Sequence, residues 1–164
     1  MQIWRSLADV PADLGATVVV IGNFDGVHLG HQRVLARARE TADQRGLPVV
    51  AVTFDPHPMA VLRPEHAPTQ LTTVERRSEL LGEAGADHVL ALPFDRDMAS
   101  WTPEEFMRRV LVEAVHAAVT QAFPLTAKRT ATASNHGGWS AGRAAADRAN
   151  LHDRDALARS RRRP

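Results

Sequence analysis

The residues best suited to chemistry form one ten-residue block, Gly22-Asn23-Phe24-Asp25-Gly26-Val27-His28-Leu29-Gly30-His31. It follows the β-branched run Thr17-Val18-Val19-Val20-Ile21 and precedes a helix-forming stretch from Gln32 to Arg45. A run of that kind reads as a buried strand, so the block is a glycine turn between strand and helix, with His28 and His31 at the helix start. Backbone N–H groups and the positive end of a helix dipole gather at that point, which suits a nucleotide's phosphates. Gly22, Gly26 and Gly30 let the backbone turn tightly and lie close to an anion. Asn23, Phe24 and Asp25 are expected to fix the geometry of this cradle. Histidines placed there can donate hydrogen bonds to phosphate oxygens as charge builds up in phosphoryl or nucleotidyl transfer. No nucleophile stands out, so the expected chemistry is positioning and charge stabilisation.

A second segment, Thr53-Phe54-Asp55-Pro56-His57-Pro58, closes the run Val49-Val50-Ala51-Val52. Pro56 and Pro58 stiffen the backbone and present His57 in a fixed direction. His57 either faces the site or is a loop residue packed against the helix that starts at His28. Asp25 either binds or orients a metal ligand, or holds the turn through its side chain. His28 and His31 have the types of metal ligands, but zinc would want a third ligand at fixed spacing. Magnesium carried by the nucleotide fits better, because it keeps waters and leans on substrate phosphates. No dedicated metal site is expected.

The elements that must position these groups alternate between strand and helix. Gly46 closes the first helix, and Leu47-Pro48 leads into the second strand. Residues 55–70, with four prolines, read as an ordered loop. Thr72 or Thr73 caps a helix through Glu75 to Leu81 that ends near Gly82 or Gly85. Asp87 to Leu92 is a third strand, and Thr102-Pro103-Glu104-Glu105 starts a helix that continues to about His116. The pattern predicts an α/β doubly wound parallel sheet with ligands at the carboxyl ends of the strands. Trp4 and Trp101 read as core or rim residues, and His66, His88 and His116 as surface or helix-end residues.

At 164 residues, with 44% hydrophobic and 24% charged residues, the chain suits one soluble domain. No apolar run reaches the roughly 20 residues that span a bilayer, and the N-terminus lacks a secretion signal. Without cysteine there are no disulfides or thiolate sites. The expected location is the cytoplasm. The net charge of +1 hides an asymmetry: residues 1–120 carry 11 Arg against 16 acids, and residues 121–164 carry 9 bases against 3 acids. No aromatic residues interleave with Arg161-Arg162-Arg163, which reads as a solvated tail and not as a nucleic-acid site.

The pattern Gly-x-Phe-Asp-Gly-x-His-x-Gly-His over 22–31, with Phe54-Asp55-Pro56-His57-Pro58, resembles the FAD synthetase (FMN adenylyltransferase) branch of the nucleotidyltransferase superfamily. The form Asn-Phe-Asp-Gly-Val-His-Leu-Gly-His over 23–31 is similar to the amino-terminal domain of the prokaryotic bifunctional riboflavin kinase/FMN adenylyltransferases. Leu71-Thr72-Thr73, Asp87-His88-Val89 and Glu104-Glu105-Phe106 follow the same family order, so the likeness covers roughly residues 1–117. It implies a Rossmann-like sheet, ATP with Mg2+ and FMN as substrates, and FAD and pyrophosphate as products. It implies His28 and His31 as catalytic residues. The binding residues it implies are Gly22, Asn23, Phe24, Asp25, Gly26, Gly30, Pro56, His57 and Pro58, with Pro56 and Pro58 bordering the flavin phosphate.

Beyond about residue 117 the likeness ends. Ala117-Ala118-Val119-Thr120-Gln121 stands where the family has a Val-rich fourth strand and a Gly-x-[Asn/Asp]-Phe loop. The Ser-[Ser/Thr]-x-x-Arg motif and the kinase domain are not found. The expectation is therefore a partial FAD synthetase domain over 1–118 with an incomplete sheet, and a disordered basic tail over 119–164 that is out of frame or otherwise non-homologous. Two other readings stay open: a remnant that binds nucleotide without transfer, and another small-molecule nucleotidyltransferase.

Overall fold

A computed structural model describes residues 1–122. Its centre is an all-parallel five-stranded sheet of β1 (Gln2–Trp4), β2 (Thr17–Ile21), β3 (Val49–Asp55), β4 (His88–Pro93) and β5 (Ala117–Ala122), in the order β1-β4-β3-β2-β5. Val18, Val19 and Val20 of β2 and Val49, Val50, Ala51 and Val52 of β3 have no exposed surface. Both faces of these strands are covered, which is why they read as continuous apolar runs and not as alternating ones.

Helices lie on both sides. On one face α1 (Leu29–Arg45) and α3 (Val74–Glu83) pack Leu35, Ala38, Ala42 and Leu81 against Val18, Val20, Val49, Ala51 and Val89. On the other, α4 (Arg96–Ser100), α5 (Pro103–Phe106) and the π-helical turns Met107–Ala114 bring Met98, Val110 and Leu111 onto Trp4, Val19, Val50, Val52 and Leu92. Strand residues alternate between the two cores, as a pleat requires. The short α2 (Pro58–Leu62) follows β3. The helix ends follow their local signals. Gly46 stands at the end of α1 with φ 66°, Thr73 caps α3, and Thr102 with Glu105 forms a full capping box.

Four details differ from expectation. β1 is a three-residue strand whose only ladder among the described residues is to β4, too short to leave a pattern. His88 is a half-buried residue of β4, its ring stacked on Trp4 at 4.9 Å, and not a surface residue. The helix after Thr102 widens to π geometry after one turn, with Val115 N–H donating to Val110 C=O. Finally, the sheet is not short of a strand on the β2 side. Ala117 to Ala122 pairs in parallel with Thr17 to Ile21, so the expected boundary at 118/119 falls inside β5. β2 presents a full row of backbone donors and acceptors on that edge, and small alanines with Val119 and Thr120 suffice to pair with it. The expected disorder of residues 123–164 lies outside the described residues.

Successive crossovers carry the chain from β2 to β3 to β4 on one side, then to β5 on the other side of β2. The strand order reverses at β2, so the crevice past its carboxyl end is the natural ligand site. The first candidate segment leaves β2 there, and the second leaves β3 beside it. Bonded to β2 and, among the described residues, to no other strand, β5 should hold alternate amides over 117–122 that exchange slowly with deuterium. Uniformly fast exchange across that span would contradict its place in the sheet.

Candidate active site

The turn after β2 is built from unusual backbone angles. Phe24, Gly26 and Val27 have φ of 51°, 67° and 37°, which is costly for a β-branched residue such as Val27. Burial holds this conformation: Phe24 is fully buried, Val27 nearly so, and Val27 N–H donates to Phe24 C=O at 3.1 Å. A Cβ at Gly26 would stand 3.2 Å from Leu71 Cδ1, and one at Gly22 would stand 3.2 Å from the Phe24 ring. Gly30 lies instead in the first turn of α1.

Asp25 holds a loop. Its carboxylate accepts from Leu71 N–H at 2.9 Å and from Thr72 N–H and Oγ1–H at 3.0 and 2.8 Å. Thr72 Oγ1 in turn accepts from Gly26 N–H at 3.2 Å. Partial burial pushes the Asp25 pKa up, but these hydrogen bonds and the Arg77 charge outweigh it and hold the group below the usual carboxylate range. Of the two readings of Asp25, the structure favours the one in which it stabilises the turn, through a partner 46 residues away and not through its own backbone.

His28 caps α1. Its Nδ1 accepts from Gly30 N–H at 3.1 Å and His31 N–H at 3.4 Å, so the neutral ring carries its proton on Nε2. The His31 ring stacks on it at 3.7 Å and meets the edge of Phe24 at 5.2 Å. His31 is 7% exposed. Burial first, then the charge of His28, lower its pKa to about 4 against a smaller opposing effect of Asp25. At neutral pH His31 is therefore an uncharged ring, a hydrogen-bond donor and not an imidazolium.

The second segment meets the first through one contact. His57 caps α2, its Nδ1 accepting from Met59 N–H at 3.1 Å, and its Nε2 lies 2.8 Å from the Asn23 amide. With Nδ1 accepting, the neutral ring has its proton on Nε2, so pairing requires the Asn23 amide to turn its oxygen to the place where Nδ2 stands. Burial, followed by the Arg77 charge, lowers the His57 pKa. Pro58 is the first residue of α2, and Pro56 follows a cis peptide bond.

Three residues of this site carry no expected role in it: Thr53 and Thr72 lie inside the quoted segments, and Arg77 lies outside all of them. Arg77 is 2% exposed and stands on the buried stripe Val74, Arg77, Ser78, Leu81 of α3. A charged residue at an i, i+3, i+4, i+7 position was the available signal. Its Nη1 donates to Thr53 Oγ1 and Phe54 C=O, both at 3.1 Å, and its Nη2 donates to Thr72 C=O at 3.5 Å. Thr53 Oγ1 donates to Asn23 C=O at 2.9 Å. Among the described residues no cluster of three or more His, Cys, Asp or Glu could hold a metal ion.

A family profile described as FAD synthetase matches residues 10–133. The chain belongs to the FAD synthetase family. Three relatives are named bifunctional riboflavin kinase/FMN adenylyltransferase. The Pseudomonas fluorescens protein is 42% identical over 113 residues, 69% of this chain and 36% of that one. The Escherichia coli K12 protein is 40% identical, covering 66% and 34%. The Haemophilus influenzae protein is 35% identical, covering 71% and 38%. The chain thus spans about a third of the length of these curated relatives. A crystal structure titled macrolide-efflux protein from Streptococcus pneumoniae is similar with a TM-score of 0.63 and 29% identity, covering 73% of this chain and 40% of that one. Among the described residues no helix is long and apolar enough to cross a membrane. The profile continues to residue 133, past the point near 117 where the sequence likeness was expected to end.

The depressed pKa of His31 gives a stability test. The unfolded chain protonates this ring near its ordinary pKa of 6.5, and the folded chain resists until about 4. Between those values the unfolded state binds more protons, so stability falls as pH drops from 6.5 to about 4. His57 and His88, also lowered chiefly by burial, act in the same direction. The His31→Gln variant should show a flatter decline of Tm with acidification across that window. An unchanged slope would contradict a buried neutral His31.

Proposed function

We propose that this chain catalyses FMN adenylyltransfer in the cytoplasm, with MgATP and FMN as substrates and FAD and pyrophosphate as products. A phosphate oxygen of FMN attacks the α-phosphorus of ATP in line, the bond from that phosphorus to the bridging oxygen breaks, and pyrophosphate leaves with the bond's electrons. The attacking oxygen is already anionic, so no general base is needed. The chain's share of the work is to orient the two phosphates and to meet the charge that develops between them.

The observation that carries this reading is the stacked His28–His31 pair over the amino end of α1. Capping by Nδ1 fixes the His28 tautomer, leaving Nε2–H as the donor of that ring. Donors aligned in advance cost no reorganisation when charge appears on the α- and β-phosphoryl oxygens. The first turn of α1 adds its N–H groups and dipole. Neither nucleic acid nor a membrane is required as a partner.

One observation favours a second reading, nucleotide binding without transfer. Thr120-Gln121-Ala122-Phe123-Pro124-Leu125 stands where the family resemblance places a Gly-x-[Asn/Asp]-Phe loop that helps hold the nucleotide. FAD formation from FMN and MgATP, measured beside MgATP binding, separates the two. If transfer occurs, His28→Ala and His31→Ala should each lower kcat by about 100-fold while changing the KM for ATP much less. Variants that lose affinity and keep turnover would show that these rings only bind. Nucleotide binding with no FAD formed by the parent chain would establish the second reading.

A further inference from the structure

We propose that Arg77 is the positioning residue of this site, the one side chain through which α3 sets the His28–His31 turn and the Pro56-His57-Pro58 loop relative to each other. The proposal rests on the adenylyltransferase reading for its activity test, and on geometry alone for its other test.

At 2% exposure the guanidinium is too deep to touch a substrate. A leucine at position 77 would fill the stripe between Val74 and Leu81 without the desolvation cost of a charge. Arg77 instead divides its donors among three acceptors in two segments. Nη1 serves Thr53 Oγ1 and Phe54 C=O near the carboxyl end of β3, and Nη2 serves Thr72 C=O in the loop before α3. Each acceptor is one step from a motif residue. Thr53 Oγ1 donates to Asn23 C=O, and the Asn23 side chain pairs with His57. Thr72 is the residue clamped by Asp25 and bonded to Gly26 N–H. Among the described residues Arg77 forms no ion pair, and Asp25, across Thr72, is the carboxylate that feels its charge. A planar fork with five N–H donors can hold several acceptors at fixed angles, whereas a lysine ammonium is a single charged point. The amino end of α1, by contrast, is capped locally by His28 and does not depend on Arg77. Losing Arg77 should therefore loosen the alignment of the two motifs more than it weakens nucleotide binding.

The test compares the full chain with Arg77→Lys and Arg77→Met, each first shown to unfold cooperatively. Three quantities are read: FAD formation, MgATP binding by calorimetry, and the titration of the His57 ring by NMR. The Met variant should lose about 10- to 100-fold in kcat, the scale of an ångström-sized misplacement, with MgATP affinity within about threefold of the parent. Its His57 ring should titrate at higher pH, because the Arg77 charge holds that group down. The Lys variant, which keeps the charge and loses the fork, should restore the His57 titration and recover only part of kcat. A Met variant with kcat within about twofold of the parent, or with an unmoved His57 titration, would overturn the proposal. If the Met variant does not fold, a Lys variant with parental kcat overturns it just as well. A parent chain that binds MgATP and forms no FAD would refute the transfer reading but not this proposal, which the His57 titration then decides.

Discussion

The site depends on the Asp25 carboxylate reaching from the turn after β2 to the backbone of Leu71 and Thr72. That turn holds a buried phenylalanine and a valine at left-handed φ, a conformation the local sequence alone would not choose. Three donors on one carboxylate, with Thr72 returning a bond to Gly26 N–H, fasten the turn to the segment that begins α3. Because the bonds involve a charged acceptor, they are stronger than neutral ones. A metal bound by Asp25 would have to compete with all of them.

The fastening explains how two segments distant in sequence become one site. Parallel topology places the ends of β2 and β3 side by side, and that alone brings the 22–31 turn near Pro56-His57-Pro58. Proximity within a few ångströms is less than phosphoryl chemistry requires. Orientation comes from a continuous chain of polar contacts running through Asp25, Thr72, Arg77, Thr53, Asn23 and His57. Above it sits a pair of stacked rings, one of them kept uncharged by burial, at the positive end of a long helix. In the proposed reaction such a pair would give direction to hydrogen bonds with phosphate oxygens, and the helix end would supply positive potential.

Much of this was legible in the sequence because local signals decide it. The valine runs of β2 and β3, the glycine that ends α1, and the Thr73 and Thr102 caps are short-range instructions, and each is carried out where it stands. The sheet's parallel, doubly wound character followed from the alternation of elements. What escaped the sequence depends on partners far along the chain. β5 forms from an alanine-rich stretch with no β-branched run, because the edge of β2 supplies the ladder. β1 exists only through β4, nearly ninety residues on by the Gln2–His88 register. The Asn23–His57 pair, the clamp on Thr72 and the buried Arg77 belong to the same class, since a long-range hydrogen bond leaves little mark on either local segment. His88 illustrates the reverse error: a polar residue at a strand's start was read as surface, yet stacking on Trp4 half buries it.

In the proposed reaction the stacked histidines and the amino end of α1 together receive the triphosphate. A crystal structure of the chain with MgATP tests it most directly. The α- and β-phosphates should lie against the first-turn N–H groups of α1, with His28 and His31 within hydrogen-bonding distance, about 2.6–3.2 Å, of their oxygens and His57 beside them. A triphosphate lodged elsewhere on the sheet, or one held at α1 with both rings turned away from it, would contradict it.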